Sequence, residues 1–351
     1  MLSPLGNIHD TPIREILMND KSRDVRQAII NGQWHPDCFN CKNSEEKGSS
    51  MGERTATISN IDLYRSATEN DFKLTRIDIR WSNTCNLMCV YCFPLFSSRW
   101  AAAQGKVNKL DKEQKDNFLQ YLKENAADIT DVLILGGEPL LEKNNIALAQ
   151  LLKEGNNNPK VYMFTNGAID VTDNAVFDAL LEIKVGIAVS FETVGERFEF
   201  VRHGAKWNSF VTNLRTIHSK IKATSGCPDV LQIQCTYSIY SAFNLCEFYE
   251  FVEAEGYFAS PRWQLLTSPL GFSVYELSPK LKAKAIDELN NCIDTYGDRF
   301  DMSELLSIRA VLREQLTDGS MLSFDDDIKY LNIYIDGKGA EFKRLWPNFY
   351  D

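Results

Sequence analysis

Six short apolar segments, each separated from the next by a helical stripe, constrain this chain more than any other feature. Ile77, Ile79 and Trp81 alternate at period two, while Val132 to Leu135, Val161 to Phe164 and Val185 to Val189 are continuous apolar runs. Shorter candidates lie around Leu231-Gln232-Ile233 and from Trp263 to Leu266. Continuous runs suit parallel strands covered on both faces. Between them the spacing turns helical. Phe210, Leu214, Ile217 and Ile221 share one helix face, as do Leu245, Phe248, Phe251 and Val252 before Gly256. The Phe118–Leu122 pair and Leu148, Leu151 and Leu152 fill two more intervals. Repeated strand–helix units predict a parallel sheet, wound flat or curled into a barrel, and periodicity does not choose between the two.

Three regions follow: 1–66, 67–270 and 271–351. The first is mostly polar, with short helices expected at Thr11-Pro12 and from Ser22 to Gly32. The last reads as helix again, starting at Ser278-Pro279 with a stripe at Leu281, Ala285, Leu289 and Ile293, then from Ser303 to Leu316. Acidic residues outnumber basic ones 48 to 38, which argues against nucleic acid as the main partner because phosphate binding needs a basic footprint. The longest apolar stretches fall far short of the roughly 20 residues that cross a bilayer, so no membrane partner is expected. Met1 to Pro4 carries neither a basic start nor an apolar run, and a cytoplasmic location is expected.

The nine cysteines carry the chemistry. An odd number in tight clusters points to metal or catalytic work in a reducing compartment, and not to a disulfide framework. Cys85, Cys89 and Cys92 occupy one loop directly after the first strand. Three thiolates there can wrap one corner of an iron–sulfur cube and leave the fourth iron open to a ligand. Asn83 and Asn86 tolerate the turns such a loop needs. A structural zinc site would demand a fourth ligand nearby, and no His or Cys follows closely after Cys92. The second strand runs into Gly136-Gly137-Glu138-Pro139, where glycines let backbone approach a small ligand and a carboxylate can accept from an ammonium group.

Cys-x-x-x-Cys-x-aromatic-Cys after strand one, with Gly-Gly-Glu-Pro after strand two, resembles the signature of the radical S-adenosylmethionine (SAM) superfamily. The resemblance implies a partial (β/α)6 TIM-like barrel, an α/β fold. Here it would carry a small N-terminal twitch-like appendage and a helical C-terminal extension. It implies a [4Fe–4S] cluster on Cys85, Cys89 and Cys92, with SAM chelated to the unique iron. It also implies reductive cleavage of SAM to a 5′-deoxyadenosyl radical that abstracts hydrogen from a substrate. A low-potential electron donor of the flavodoxin or ferredoxin type would feed that chemistry. Tyr91 resembles the aromatic flanking adenine, the alternative being core packing. Ser190-Phe191-Glu192-Thr193 resembles the Ser-x-Asp-Gly segment near the ribose and methionyl carboxylate, with Glu for Asp and Thr for Gly. Arg202 resembles the arginine that clamps the SAM carboxylate in peptide-modifying members, the alternative being an exposed loop arginine. Gly136, Gly137, Glu138 and Pro139 would complete the SAM site.

Upstream, Trp34 to Cys41 with Leu5-Gly6-Asn7-Ile8 before it resembles the later part of a SPASM/twitch module, which binds an auxiliary iron–sulfur cluster in related proteins. The tail from Phe324 to Tyr350 fits the group with that module at the N-terminus. No further cysteine precedes Leu5, so the start is expected to be truncated, to have lost ligands, or to borrow them from a partner. Cys38 and Cys41 are open to three readings: an auxiliary cluster, zinc with His35, or thiols of a structural remnant. Among the scattered cysteines, Cys235 is placed at the close of the fifth strand as a candidate hydrogen donor, against an ordinary buried cysteine. As a whole the chain reads as a radical SAM enzyme, with a peptide as the favoured substrate by analogy. The alternatives are a non-catalytic scaffold partner of a complete relative and a zinc-stabilised interaction protein.

Overall fold

The computed structural model describes residues 4–8, 10–39, 42, 74–106, 112–155, 158–224, 226, 230–314 and 322–349. In chain order the elements begin with α1 (Ile13–Met18), α2 (Asp20–Ile30), β1 (Arg76–Ile79), α3 (Ser98–Ala103) and α4 (Lys112–Glu124). The alternating series continues with β2 (Asp131–Ile134), α5 (Asn144–Glu154), β3 (Lys160–Thr165), α6 (Ala175–Glu182) and β4 (Gly186–Ser190). Next come α7 (Gly195–Val201), α8 (Trp207–Ala223), β5 (Gln232–Tyr237), α9 (Leu245–Glu255) and β6 (Arg262–Leu265). Four helices close the chain: α10 (Pro279–Tyr296), α11 (Ser303–Glu314), α12 (Leu322–Tyr334) and α13 (Lys338–Leu345).

The chain divides into two compact units: residues 1–75 with 111–128, and residues 76–110 with 129–351. The expected boundary at 66/67 lies outside the described residues. In the first unit, α2 is capped by Asn19 and not by Ser22. The Asn19 side chain accepts from Ser22 N at 2.9 Å and donates to Leu5 O at 2.7 Å, satisfying a first-turn N–H that Ser22, already inside the helix, cannot cap.

In the second unit the six strands are all parallel and lie in sequence order, β1-β2-β3-β4-β5-β6. The result is a partial (β/α)6 barrel. Ile79 pairs with Ile134, Ile134 with Met163, Thr165 with Val189, and Cys235 with Trp263. One expectation needs correction. β1 alternates as read, but of the three continuous runs only β4 is buried nearly throughout; in β2 and β3 buried residues alternate with more exposed ones. Tyr162 is 39% exposed, and its ring passes beside Gly186, 2.6 Å from the place a Cβ there would occupy. An apolar run can therefore mean an exposed aromatic beside a glycine and not a second buried face.

The helical stripes behave as read. Phe210, Leu214, Ile217 and Ile221 of α8 are buried, as are Leu281, Ala285 and Leu289 of α10, which Ser278 caps. The helix expected from Ser303 runs to Glu314, and residue 316 lies outside the described residues. Residues 271–349 belong to the same compact unit as the barrel. Phe342 and Trp346 stack on each other and pack with Phe200 and Tyr240, while Trp346 Nε1 donates to Tyr240 O at 3.1 Å. Among the described residues no helix is long and apolar enough to cross a membrane.

Candidate active site

The loop from Trp81 to Ser97 leaves the C-terminal end of β1, the barrel end where sites of this architecture form. Its backbone is fixed at many points. Cys85 N donates to Ser98 Oγ at 3.0 Å, Ser97 Oγ to Leu87 O at 2.7 Å, and Asn83 Nδ2 to Pro94 O at 2.8 Å. Trp100, 1% exposed, donates from Nε1 to Cys89 O at 3.0 Å and stacks on Tyr330 of α12. On the other side, Met88 N donates to His203 O and Val90 N to Val201 O, each at 2.9 Å.

Cys85, Cys89 and Cys92 share one site. Burial first, and then the Cys89 sulfur, push the Cys85 thiol up to about 11 and Cys92 up to about 12. Cys89 is raised mainly by burial. Donors already point at the sulfurs: Leu87 N at 3.5 Å and Asn166 Nδ2 at 3.8 Å from Cys85 Sγ, and Arg202 Nη1 at 3.9 Å from Cys89 Sγ. Crowded, half-desolvated thiols resist ionisation unless cationic charge sits among them, and N–H donors to sulfur are the surroundings of a thiolate-held cluster. Among the described residues no three His, Cys, Asp or Glu side chains close on a single metal ion. A mononuclear zinc would need its sulfurs drawn to within bonding distance of one centre, about 2.3 Å each. The N–H donors aimed at Cys85 and Cys89 are the surroundings that thiolate ligands of a cluster would need.

Gly136 to Pro139 packs directly against the cysteine loop. The loop continues the β1–β2 pairing: Gly137 N donates to Ser82 O at 3.2 Å and Glu138 N to Thr84 O at 2.8 Å. A Cβ on Gly137 would sit 2.3 Å from Thr84 O, and Gly136 has φ +138° with Ser82 O 3.1 Å from its Cβ position. The glycines admit the cysteine loop's own backbone. Gly137→Ala is accordingly expected to cost about 1–3 kcal/mol by overpacking and to displace Cys85. A thermal midpoint and iron uptake equal to wild type would show that the loop yields.

Glu138 is 1% exposed and accepts from Leu140 N at 3.1 Å, Thr165 Oγ1 at 2.8 Å and Asn166 N at 2.8 Å. These bonds tie the ends of β2 and β3 together. Burial pushes its carboxyl up from 4.5 to about 7 against the pull of those three donors. The folded chain therefore holds this proton more tightly than the unfolded one between pH 4.5 and 7. Stability is expected to fall by about 3 kcal/mol as pH rises through that window and to level off above it. Thermal midpoints of the cluster-free protein from pH 5 to 8 check this, because Glu138→Gln should flatten the slope.

Tyr91, Glu192 and Arg202 meet beside Cys89. Arg202 is 7% and Glu192 1% exposed, and Nη2 donates to Glu192 Oε2 at 2.6 Å. Tyr91 OH donates to Glu192 Oε1 at 2.7 Å, and the guanidinium lies 5.5 Å from the Tyr91 ring centroid. Burial alone would pull Arg202 down, but Glu192, with Tyr91 and Cys89, holds it well above its ordinary value. The exposed-arginine alternative is thus overturned: Arg202 is buried in an ion pair. Ser190 ends β4 half-buried, and Phe191 turns into a core of Phe210, Phe248 and Phe258.

Two functional neighbours escaped the sequence reading. Asn166 Nδ2 bonds Asn86 Oδ1 at 2.8 Å besides facing Cys85; its Asn-Gly dipeptide at the end of the third apolar run was the available signal. Trp100 gave none. Cys235 sits inside β5 and is 0% exposed, with Tyr237 closing the strand, so it does not end the strand as expected. In the first unit, His35 Nδ1 accepts from Asp37 N at 3.2 Å and Cys38 is half-buried, while Cys41 lies outside the described residues.

Residues 79–231 match the family described as the Radical SAM superfamily. Residues 79–231 form a radical SAM domain. Membership implies SAM and a [4Fe–4S] cluster as cofactors. Similar solved structures include native anSMEcpe with bound AdoMet, and the same protein with AdoMet and a Kp18Cys peptide. Each is 20% identical over 63% of this chain and 60% of the other, with a TM-score of 0.46. The chain thus spans 60% of the length of those proteins. No curated protein matches it.

Proposed function

We propose that the chain is a radical SAM enzyme in which Cys85, Cys89 and Cys92 hold the cluster and the mouth of the barrel takes SAM. The three thiols on one loop inside the matched segment, electrostatically coupled and with N–H donors on Cys85 and Cys89, carry this reading. When bound and reduced, the cluster supplies the electron that splits SAM into methionine and a 5′-deoxyadenosyl radical. The chain's own residues do the rest. Asn166 and Leu87 N orient Cys85, Trp100 holds Cys89 through its carbonyl, and Glu138 locks the loop after β2 against the end of β3. Tyr91, Glu192 and Arg202 wall the SAM site, with Ser190 and Gly136 to Pro139 at the neighbouring strand ends. A flavodoxin- or ferredoxin-type donor in the cytoplasm supplies the electrons. A peptide is the inferred substrate class, supported by the N-terminal resemblance to SPASM/twitch modules.

Anaerobic reconstitution with iron and sulfide, followed by dithionite and SAM, should yield 5′-deoxyadenosine. A bound cluster without that product would instead favour the scaffold reading, and zinc without acid-labile sulfide would sink both. Iron content also tests Cys38 and Cys41: about four irons per chain mean one cluster, and a substantial excess means an auxiliary one.

A further inference from the structure

Cys89 and Arg202 are 113 residues apart, yet the backbone sets them face to face. Met88 N bonds His203 O and Val90 N bonds Val201 O, so the cysteine loop is fastened to the end of α7 and the residues after it, with Cys89 and Arg202 between those two bonds. Both oxygens of Glu192 are then spent on orienting the pair, one accepting from Tyr91 OH and the other from Arg202 Nη2. This fixes the guanidinium with Nη1 toward Cys89 Sγ.

We propose that Arg202, clamped by Glu192 and Tyr91, is a positioning residue that sets the reduction potential of the cluster by donating from Nη1 to Cys89 Sγ. The inference rests on the proposed function, since it needs the cluster on Cys89. Glu192 and Arg202 are together neutral, so what the sulfur meets is an oriented dipole with its positive end foremost. A donor aimed at a ligand sulfur favours the reduced cluster, which carries one more negative charge, and so raises the potential.

The test is an EPR-monitored redox titration of the reconstituted protein without SAM, so that contacts to the cosubstrate cannot contribute. Arg202→Met combined with Glu192→Gln removes the donor while leaving the net charge of the pair at zero. Its reduced-to-oxidised ratio at a given potential is expected to fall about tenfold, a drop in midpoint of about 59 mV for one electron. An unchanged midpoint at full iron content overturns the inference and leaves the proposed function standing. A wild-type chain that takes up no cluster overturns that function instead. Should the double variant fail to bind iron, Arg202→Lys decides. It retains the charge beside Glu192 but lacks the planar fork that reaches both partners, and a midpoint equal to wild type would again overturn the inference.

Discussion

A Cys89→Ala chain, reconstituted anaerobically with iron and sulfide, is expected to lose the four-iron cluster and yield no 5′-deoxyadenosine from SAM and dithionite. This position isolates the sulfur from the fold. The backbone around it stays held by Met88 N on His203 O, Val90 N on Val201 O and Trp100 Nε1 on Cys89 O. None of these bonds involves the side chain, and alanine fits the buried site with only a small void. The variant should therefore keep a near-native circular dichroism spectrum while its visible absorbance vanishes. Cys246→Ala is the matched control. That thiol lies at the start of α9 and accepts from Asn291 Nδ2 at 3.2 Å, apart from the cysteine loop. Full product formation is expected there. Retention of cluster and product by Cys89→Ala would remove the basis of the functional reading.

What the sequence disclosed follows from the range over which each signal acts. The six strands, the stripe of α8 and the cysteine spacing are local patterns, and each is written within some twenty residues. The cysteine loop could be placed because one strand and three thiols are contiguous. The role of Gly137 was not legible, because its reason is the carbonyl of Thr84, brought close by strand pairing. Trp100 reads as an ordinary core aromatic until its indole N–H is seen on Cys89 O. The partnership of Glu192 with Arg202 was hidden for the same reason. Each was read singly as facing a ligand, and the contact that strand end and helix end make between them joins residues ten apart in the sequence. Tyr162 shows the converse error, a local apolar run with an exposed aromatic beside a glycine on the neighbouring strand.

That buried ion pair yields the other large effect. Arg202→Met alone is expected to destabilise the cluster-free protein by about 3–5 kcal/mol, because it strands the Glu192 carboxylate, 1% exposed, without its cation. Tyr91 OH would remain its only side-chain donor among the contacts described above, too little for a full charge. Adding Glu192→Gln removes that charge, and most of the loss should be regained, since a neutral amide beside Tyr91 costs far less to bury than an orphaned carboxylate. Urea unfolding of the two single variants and the double variant gives the coupling directly. A strongly negative interaction energy, with the double variant more stable than Arg202→Met, shows the two residues acting as one buried unit. Additive losses would mean that solvent reaches Glu192 once Arg202 is gone, and that the carboxylate was never the fixed anchor on which the orientation of the guanidinium depends.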